Sequence, residues 1–200
     1  MLLALVLQAA APQTAVDAER AFNAAAQAKG QWTAFREFAA PDAVMFVPQP
    51  VKAHDWLKDR KNPPRSVEWQ PAVSYMSCDG KVAVNSGNWQ RPDGSIGYFT
   101  TIWSAAGGSW KWLADHGDGV AVARPLPGFP GTVRAQCTGR AKPPLEAPLA
   151  TGKTGSGHSP DGTLLWRWDV WPDGSRVLMA RIWTGQSYEV VINDRVAAPK

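Results

Sequence analysis

The densest group of proton-exchanging side chains lies in the run WKWLADHGD at 110–118, which places Asp115, His116 and Asp118 within four positions. Imidazole titrates near neutrality, so His116 is a candidate general acid/base, with Asp118, Asp115 or His54 as its partner. The run reads as a strand, and successive strand side chains point to opposite faces. On that rule His116 shares a face with Trp110 and Trp112, while Asp115 lies with Lys111 and Leu113, so Asp115 and His116 do not pair with each other. A local reading competes: a strand-end histidine, a turn begun at Gly117 and a cap at Asp118. His54 and Asp55 sit at the start of a short helix. With His116 they would supply two imidazoles and a carboxylate, a set suited to a non-haem metal, but the spacing carries no metal signature and no metal is expected. No cofactor is expected either. Gly152-Lys153-Thr154 looks like the end of a phosphate loop, but the first glycine of that motif would fall at Ala147, and PPLEAP before it forms no strand.

Aromatic residues are the second candidate feature. Eleven Trp against three Tyr point to an aromatic-rich interior or pocket, because indole combines large apolar area with one N–H to satisfy. Trp32, Tyr75, Trp89, Tyr98, Trp103 and Trp112 are the candidate ligand-binding residues, and the ligand they suit is a hydrophobic or aromatic small molecule.

The elements that must position these groups are legible from turns and periodicity. Thr14 to Asp17 has capping-box spacing, and the Ala-rich run after it, with Phe22, Ala25, Ala26 and Lys29 at helical intervals, ends at Gly30. A shorter helix carries Trp32, Phe35, Phe38 and Ala39 and stops at Pro41. Residues 43–47 read as a short buried strand and 54–60 as a third helix. Strands follow at 67–70, 73–77, 82–90, 96–104 and 110–116, separated by Asp79-Gly80, Asp93-Gly94 and Gly107-Gly108. Helices first and a meander after give an α+β class, with the helices gathered on one face of a curved antiparallel sheet.

AERAFNAAAQAKGQWTAFREFAAPDAVMF at 18–46 and GNWQRPDGSIGYFTTIWSAAGGSWKWLADHGD at 87–118 resemble the nuclear-transport-factor-2-like superfamily, nearest in texture to its SnoaL-like and ketosteroid-isomerase-like branches. The resemblance covers about the first three-fifths of the chain. It implies a cone-shaped curved antiparallel sheet whose concave face is closed by helices over an apolar pocket, in a superfamily of isomerases, dehydratases, cyclases, epoxide hydrolases and non-catalytic binding domains. Its isomerases place a carboxylate base near the end of the first strand and a Tyr donor on the first helix. Here the match through PDAVMFVP puts those positions at about Val47 and near Phe22, which neither transfer protons nor donate hydrogen bonds.

The remaining chain divides as follows. Residues 1–15 read as a signal peptide, because an apolar run too short to span a bilayer ends in small residues; a packed apolar helix is the alternative. Export implies a secreted or periplasmic location, where Cys78 and Cys137 would form a disulfide, against two independent buried thiols. Residues 16–120 are the α+β domain, 121–160 a Pro- and Gly-rich linker, and 161–200 a three-stranded β-meander extension that packs on the main domain, since three strands alone are marginal in water. Pro92-Asp93-Gly94-Ser95 recurs as Pro172-Asp173-Gly174-Ser175, which two hairpins of equal arm length explain. Net charge is only +4, and the cluster Lys58, Arg60, Lys61, Arg65 is broken by Asp59, Pro63 and Pro64. Neither a nucleic-acid nor a membrane partner is expected. The functional expectation is an exported small-molecule-binding protein. The alternatives are a SnoaL-like lyase, isomerase or hydrolase using His116, and a dimeric protein-interaction module built on the sheet faces.

Overall fold

A computed structural model describes residues 12–125 and 131–199; most of the expected signal peptide lies outside them. Helix α1, Ala15–Lys29, starts at a complete capping box: Thr14 Oγ1 accepts from Asp17 N at 3.1 Å, and the Asp17 carboxylate accepts from Thr14 N at 3.2 Å. It ends at Gly30, whose φ of 97° is a conformation that glycine alone adopts without strain. Helix α2, Gln31–Phe38, follows at once, and α3 is the single turn Ala53–Leu57.

Seven strands form the main sheet in the order β2-β1-β6-β5-β4-β3-β7: β1 Ala39–Phe46, β2 Pro50–Lys52, β3 Glu68–Met76, β4 Val82–Gln90, β5 Ile96–Ser104, β6 Lys111–Val120 and β7 Gly131–Arg134. The β3–β6 meander is antiparallel as its turns require. The whole sheet is mixed, because β1 joins β6 and β7 joins β3 in parallel. This corrects the expectation of a purely antiparallel sheet: β1 is joined to β6 through α3 and the meander, a connection long enough for parallel pairing. The sequence divides β3 in two. The structure keeps it whole, with a register shift between Pro71 and Val73, where proline has no N–H for the ladder.

Four further strands, β8 Lys153–His158, β9 Leu164–Val170, β10 Arg176–Trp183 and β11 Tyr188–Val196, make a second antiparallel sheet. Two of the strands among the described residues, β7 and β8, thus lie within the stretch that reads as linker. Composition hides β8, KTGSGH, because its glycines look like loop. Each glycine is covered across the strand by an indole, Gly155 paired with Trp168 and Gly157 with Trp166, in positions where a Cβ would collide with the ring.

The main sheet carries a core on each face. On its helix face Phe22, Ala26, Trp69, Phe99, Trp103 and Trp112 pack with α1 and α2; on its outer face Val84, Ile102 and Ala114 meet Leu164, Trp168, Val170, Leu178 and Ile182 of the second sheet. Two similar turns lock the sheets together at one end. Ser77 and Asp79 close the β3–β4 turn and Ser159 and Asp161 the β8–β9 turn, each serine hydroxyl donating to its aspartate, at 2.6 and 2.5 Å. Between the turns, Cys78 N donates to Thr163 Oγ1 and Asp79 N to Asp161 Oδ2, both at 2.8 Å. A Cys78–Cys137 disulfide closes the same corner. At the far end Gln49 Nε2 donates to Trp171 O at 3.0 Å, bringing the β9–β10 turn onto the β1–β2 turn. The repeated Pro-Asp-Gly-Ser is local turn chemistry: Asp93 and Asp173 each accept from the backbone N (2.9 Å) and hydroxyl (2.7 Å) of the serine two residues on.

Candidate functional site

The β5–β6 register decides which side chains reach the helix face. Trp103 pairs with Trp112 and Ile102 with Ala114, so Leu113 is left over as a bulge. One extra residue inverts the alternation beyond it. Asp115 therefore lies opposite Thr101 on the helix face with Trp112, and His116 lies opposite Thr100 on the outer face. The expectation that His116 shares a face with Trp112 is corrected here: an isolated strand cannot reveal a bulge that only its neighbour defines.

On the helix face a cavity of about 340 Å³ opens between α2, α3 and the sheet, at the small end of the range for ligand pockets. Its walls are largely aromatic, with Trp32, Phe35, Trp56, Trp69, Trp89 and Phe99 among them. Trp32 meets Trp56 edge-on at 5.5 Å and Phe35 at 5.4 Å, so the rings brace one another. Asp115 is the carboxylate of the inner wall. Its one hydrogen bond comes from Thr101 Oγ1 at 3.2 Å. It keeps some accessible surface where it faces the cavity and is enclosed by protein elsewhere; that burial pushes it up to about 7.

Behind this wall lies a second buried carboxylate. Glu19, on the inner face of α1, is fully buried and accepts from Trp103 Nε1 at 2.6 Å, Trp69 Nε1 at 2.9 Å and Asn85 Nδ2 at 3.2 Å. Burial raises it to about 7 despite these bonds, and the charge of Asp115 adds a smaller upward push. Glu19 ties α1 to β3, β4 and β5 and holds the Trp69 ring in the cavity wall.

His116 belongs to different surroundings. Its ring, with no exposed side-chain surface, is packed between the two sheets against Phe46 and lies 3.8 Å from Asp194. Neither ring nitrogen has a hydrogen-bond partner. Burial first, then the guanidinium groups of Arg176 and Arg124, push it down to about 3, so it is neutral at pH 7. Asp194 is held by Arg124 Nη1 at 2.6 Å and Thr100 Oγ1 at 2.7 Å, and Arg124 stacks on Tyr98 at 3.1 Å. Burial raises Tyr98 to about 12.

The residues singled out from the sequence therefore separate. Trp32, Trp89, Asp115 and Asp118 belong to the cavity wall, and His116 borders it from β6 while its ring stays sealed between the sheets. Trp103 and Trp112 are fully buried in the core behind it, and Tyr75 and Tyr98 are on the outer face. His54 is exposed on α3 and is not among the lining residues. Phe35, Trp56, Trp69, Arg91 and Arg176 also line the cavity, and Arg176 comes from the second sheet. Val47, the position the resemblance gives to a base, is in the wall as well; the wall carboxylate is supplied from β6 instead. No family model matches the chain. No curated protein matches it either.

The likenesses are to solved structures. A protein from Parabacteroides distasonis described as a "putative ketosteroid isomerase" overlaps 57% of this chain and 94% of its own, at 15% identity and a TM-score of 0.46. A protein of unknown function from the DUF3225 family of Pectobacterium atrosepticum overlaps 52% of this chain and 88% of its own, at 15% identity and a TM-score of 0.41. One from Novosphingobium aromaticivorans described as a "putative aromatic ring hydroxylase" overlaps 54% and 87%, at 12% identity and a TM-score of 0.38. Each overlap spans little more than half of this chain.

Proposed function

We propose that this protein binds an apolar, ring-containing small molecule in the aromatic-walled cavity, the curved sheet and its helices forming the cone that the family resemblance implies. The observation that carries this reading is the cavity of about 340 Å³ with Trp32, Phe35, Trp56, Trp69, Trp89 and Phe99 in its wall, since aromatic walls favour ring-containing apolar ligands. Export belongs to the same proposal and is supported by the Cys78–Cys137 bridge, a bond that persists in oxidising compartments. N-phenyl-naphthylamine, a neutral apolar fluorophore, is expected to bind saturably at one site per chain, brightening as it quenches tryptophan emission. Absent or non-saturable binding would sink the reading.

A second reading, in which the protein is a SnoaL-like lyase, isomerase or hydrolase, is favoured by Asp115 and not by the enclosed ring of His116. A carboxyl group poised at about 7 in the wall of a cavity is suited to taking and returning a proton. The diagnostic reaction is hydrogen exchange at the carbon next to the carbonyl of β-tetralone in heavy water. Asp115 would take the proton from carbon, leaving the enolate, and return a deuteron drawn from solvent. Exchange followed by proton NMR is expected to run faster with protein than in buffer; equal rates would leave binding without proton transfer.

A further inference from the structure

Arg176 has no evident structural task equal to its burial. It opens β10, is only 8% exposed, and lines the cavity otherwise built by the first part of the chain. One contact is satisfied: Nη2 donates to Gly117 O at 2.8 Å. Its Nε is buried without a partner, and among the described residues no carboxylate lies within salt-bridge distance of it. The partly buried arginines that meet the second sheet differ, Arg195 on β11 being exposed. Arg124, Arg167 and Arg181 are each paired, with Asp194, Glu146 or Asp169. An enclosed cation with no carboxylate at salt-bridge distance is costly, and removing it from water pulls Arg176 below its ordinary value, while the charge of Asp118, another lining residue, and then Tyr98 act against that shift. The positive field also reaches His116, which it helps to hold neutral.

We propose that the ligand of this cavity is an amphipathic carboxylate, whose apolar ring system lies against the tryptophan wall and whose carboxylate is received by Arg176. The inference rests on the ligand-binding reading above and names the class of molecule it takes. A carboxylate fits better than other anions because a guanidinium carries parallel pairs of N–H donors that match two carboxylate oxygens, and Arg176 lines the cavity. It would supply the counter-charge that the guanidinium lacks at hydrogen-bond distance. Arg91, exposed and stacked over Trp89 at 4.7 Å, gives the cavity rim the same sign of charge and would attract such an anion from solution.

The test compares naphthoate with its neutral analogue naphthalenemethanol by isothermal titration at about pH 6, below the value of Asp115, so that Asp115 is largely uncharged. The wild-type protein is expected to bind naphthoate about tenfold more tightly. Arg176→Gln is expected to erase that preference, the two ligands then binding within about twofold of each other. The wild-type comparison needs no variant, and a thermal melt of Arg176→Gln shows whether it is folded. If the two ligands bind equally, or the preference survives in folded Arg176→Gln, the carboxylate proposal is overturned and the apolar-ligand reading stands. If neither ligand binds, and N-phenyl-naphthylamine does not either, both are overturned together.

Discussion

Glu19→Ala is expected to destabilise the protein by roughly 4 kcal/mol near pH 6. The substitution removes the acceptor that serves Trp69 Nε1 and Trp103 Nε1, and neither indole has another partner. Each buried donor left unmade costs about 1–3 kcal/mol, and the vacated volume at 0% exposure adds a cavity cost. Asn85 loses less, since its Nδ2 also donates to Ala15 O at 2.8 Å. Urea denaturation monitored by tryptophan emission would measure the effect. The size depends on pH in a defined sense. Glu19 is raised from 4.5 to about 7, so its burial costs nothing while it is protonated in both states and its full penalty is present above about pH 7. Wild type carries that penalty at pH 8 and the alanine variant does not, so the gap between them narrows from pH 6 to pH 8. A loss below about 1 kcal/mol at pH 6 would show that Glu19 does not anchor the helix to the sheet.

Asp115→Asn is expected to do the opposite to stability while damaging function. Asp115 is raised from 3.8 to about 7. Between those values the native state holds a proton that the unfolded chain has released, so stability falls as pH rises, and above about 7 the whole penalty, up to roughly 3 kcal/mol, is in force. Asparagine is close in shape, keeps a carbonyl for Thr101 Oγ1 and carries no charge. The variant should therefore match wild type near pH 4 and be more stable at pH 8. Any remaining decline with pH would belong mainly to Glu19, itself reduced because the Asp115 charge no longer acts on it. In the β-tetralone exchange, the same variant is expected to lose about a hundredfold in rate, the lower end of what a positioned base contributes. A substitution that stabilises the fold and removes the reaction is the mark of a residue kept for function. No gain at pH 8 would mean that the carboxylate is not disfavoured where it sits, and exchange at the wild-type rate would remove Asp115 from the chemistry.

How much of this could be read from sequence depended on whether the signal was local. Asp93-Gly94 and Gly107-Gly108 are complete instructions for hairpins, and β4 and β5 appear at the expected bounds. Thr14 and Asp17 announce α1 with similar economy. The site was less legible because its decisive features are pairwise. Leu113 looks like any strand residue until β5 is laid beside it, and only then do Asp115 and His116 exchange faces. Glu19 did leave a trace: it falls in the inward stripe with Ala15, Ala18, Phe22 and Ala26, where a carboxylate is out of place unless something donates to it. Arg176 left none, since an arginine opening a strand after a tight turn is ordinary, and its place in the cavity depends on how two sheets far apart in sequence come together. The Pro- and Gly-rich stretch concealed β7 and β8 because composition reports what a backbone can do alone, and β8 is a strand only beneath the indoles of Trp166 and Trp168.

The docking of the second sheet also bears on how such a protein could diversify. The cavity's rings and Asp115 come from the first part of the chain, whereas Arg176 arrives on a separate sheet held at one end by the Cys78–Thr163 and Asp79–Asp161 hydrogen bonds and at the other by the Gln49–Trp171 contact. A mutation at the start of β10 could exchange one ligand preference for another without disturbing Asp115 or the core that supports it. Selection would then have two nearly independent dials, one for the chemistry and one for the clientele.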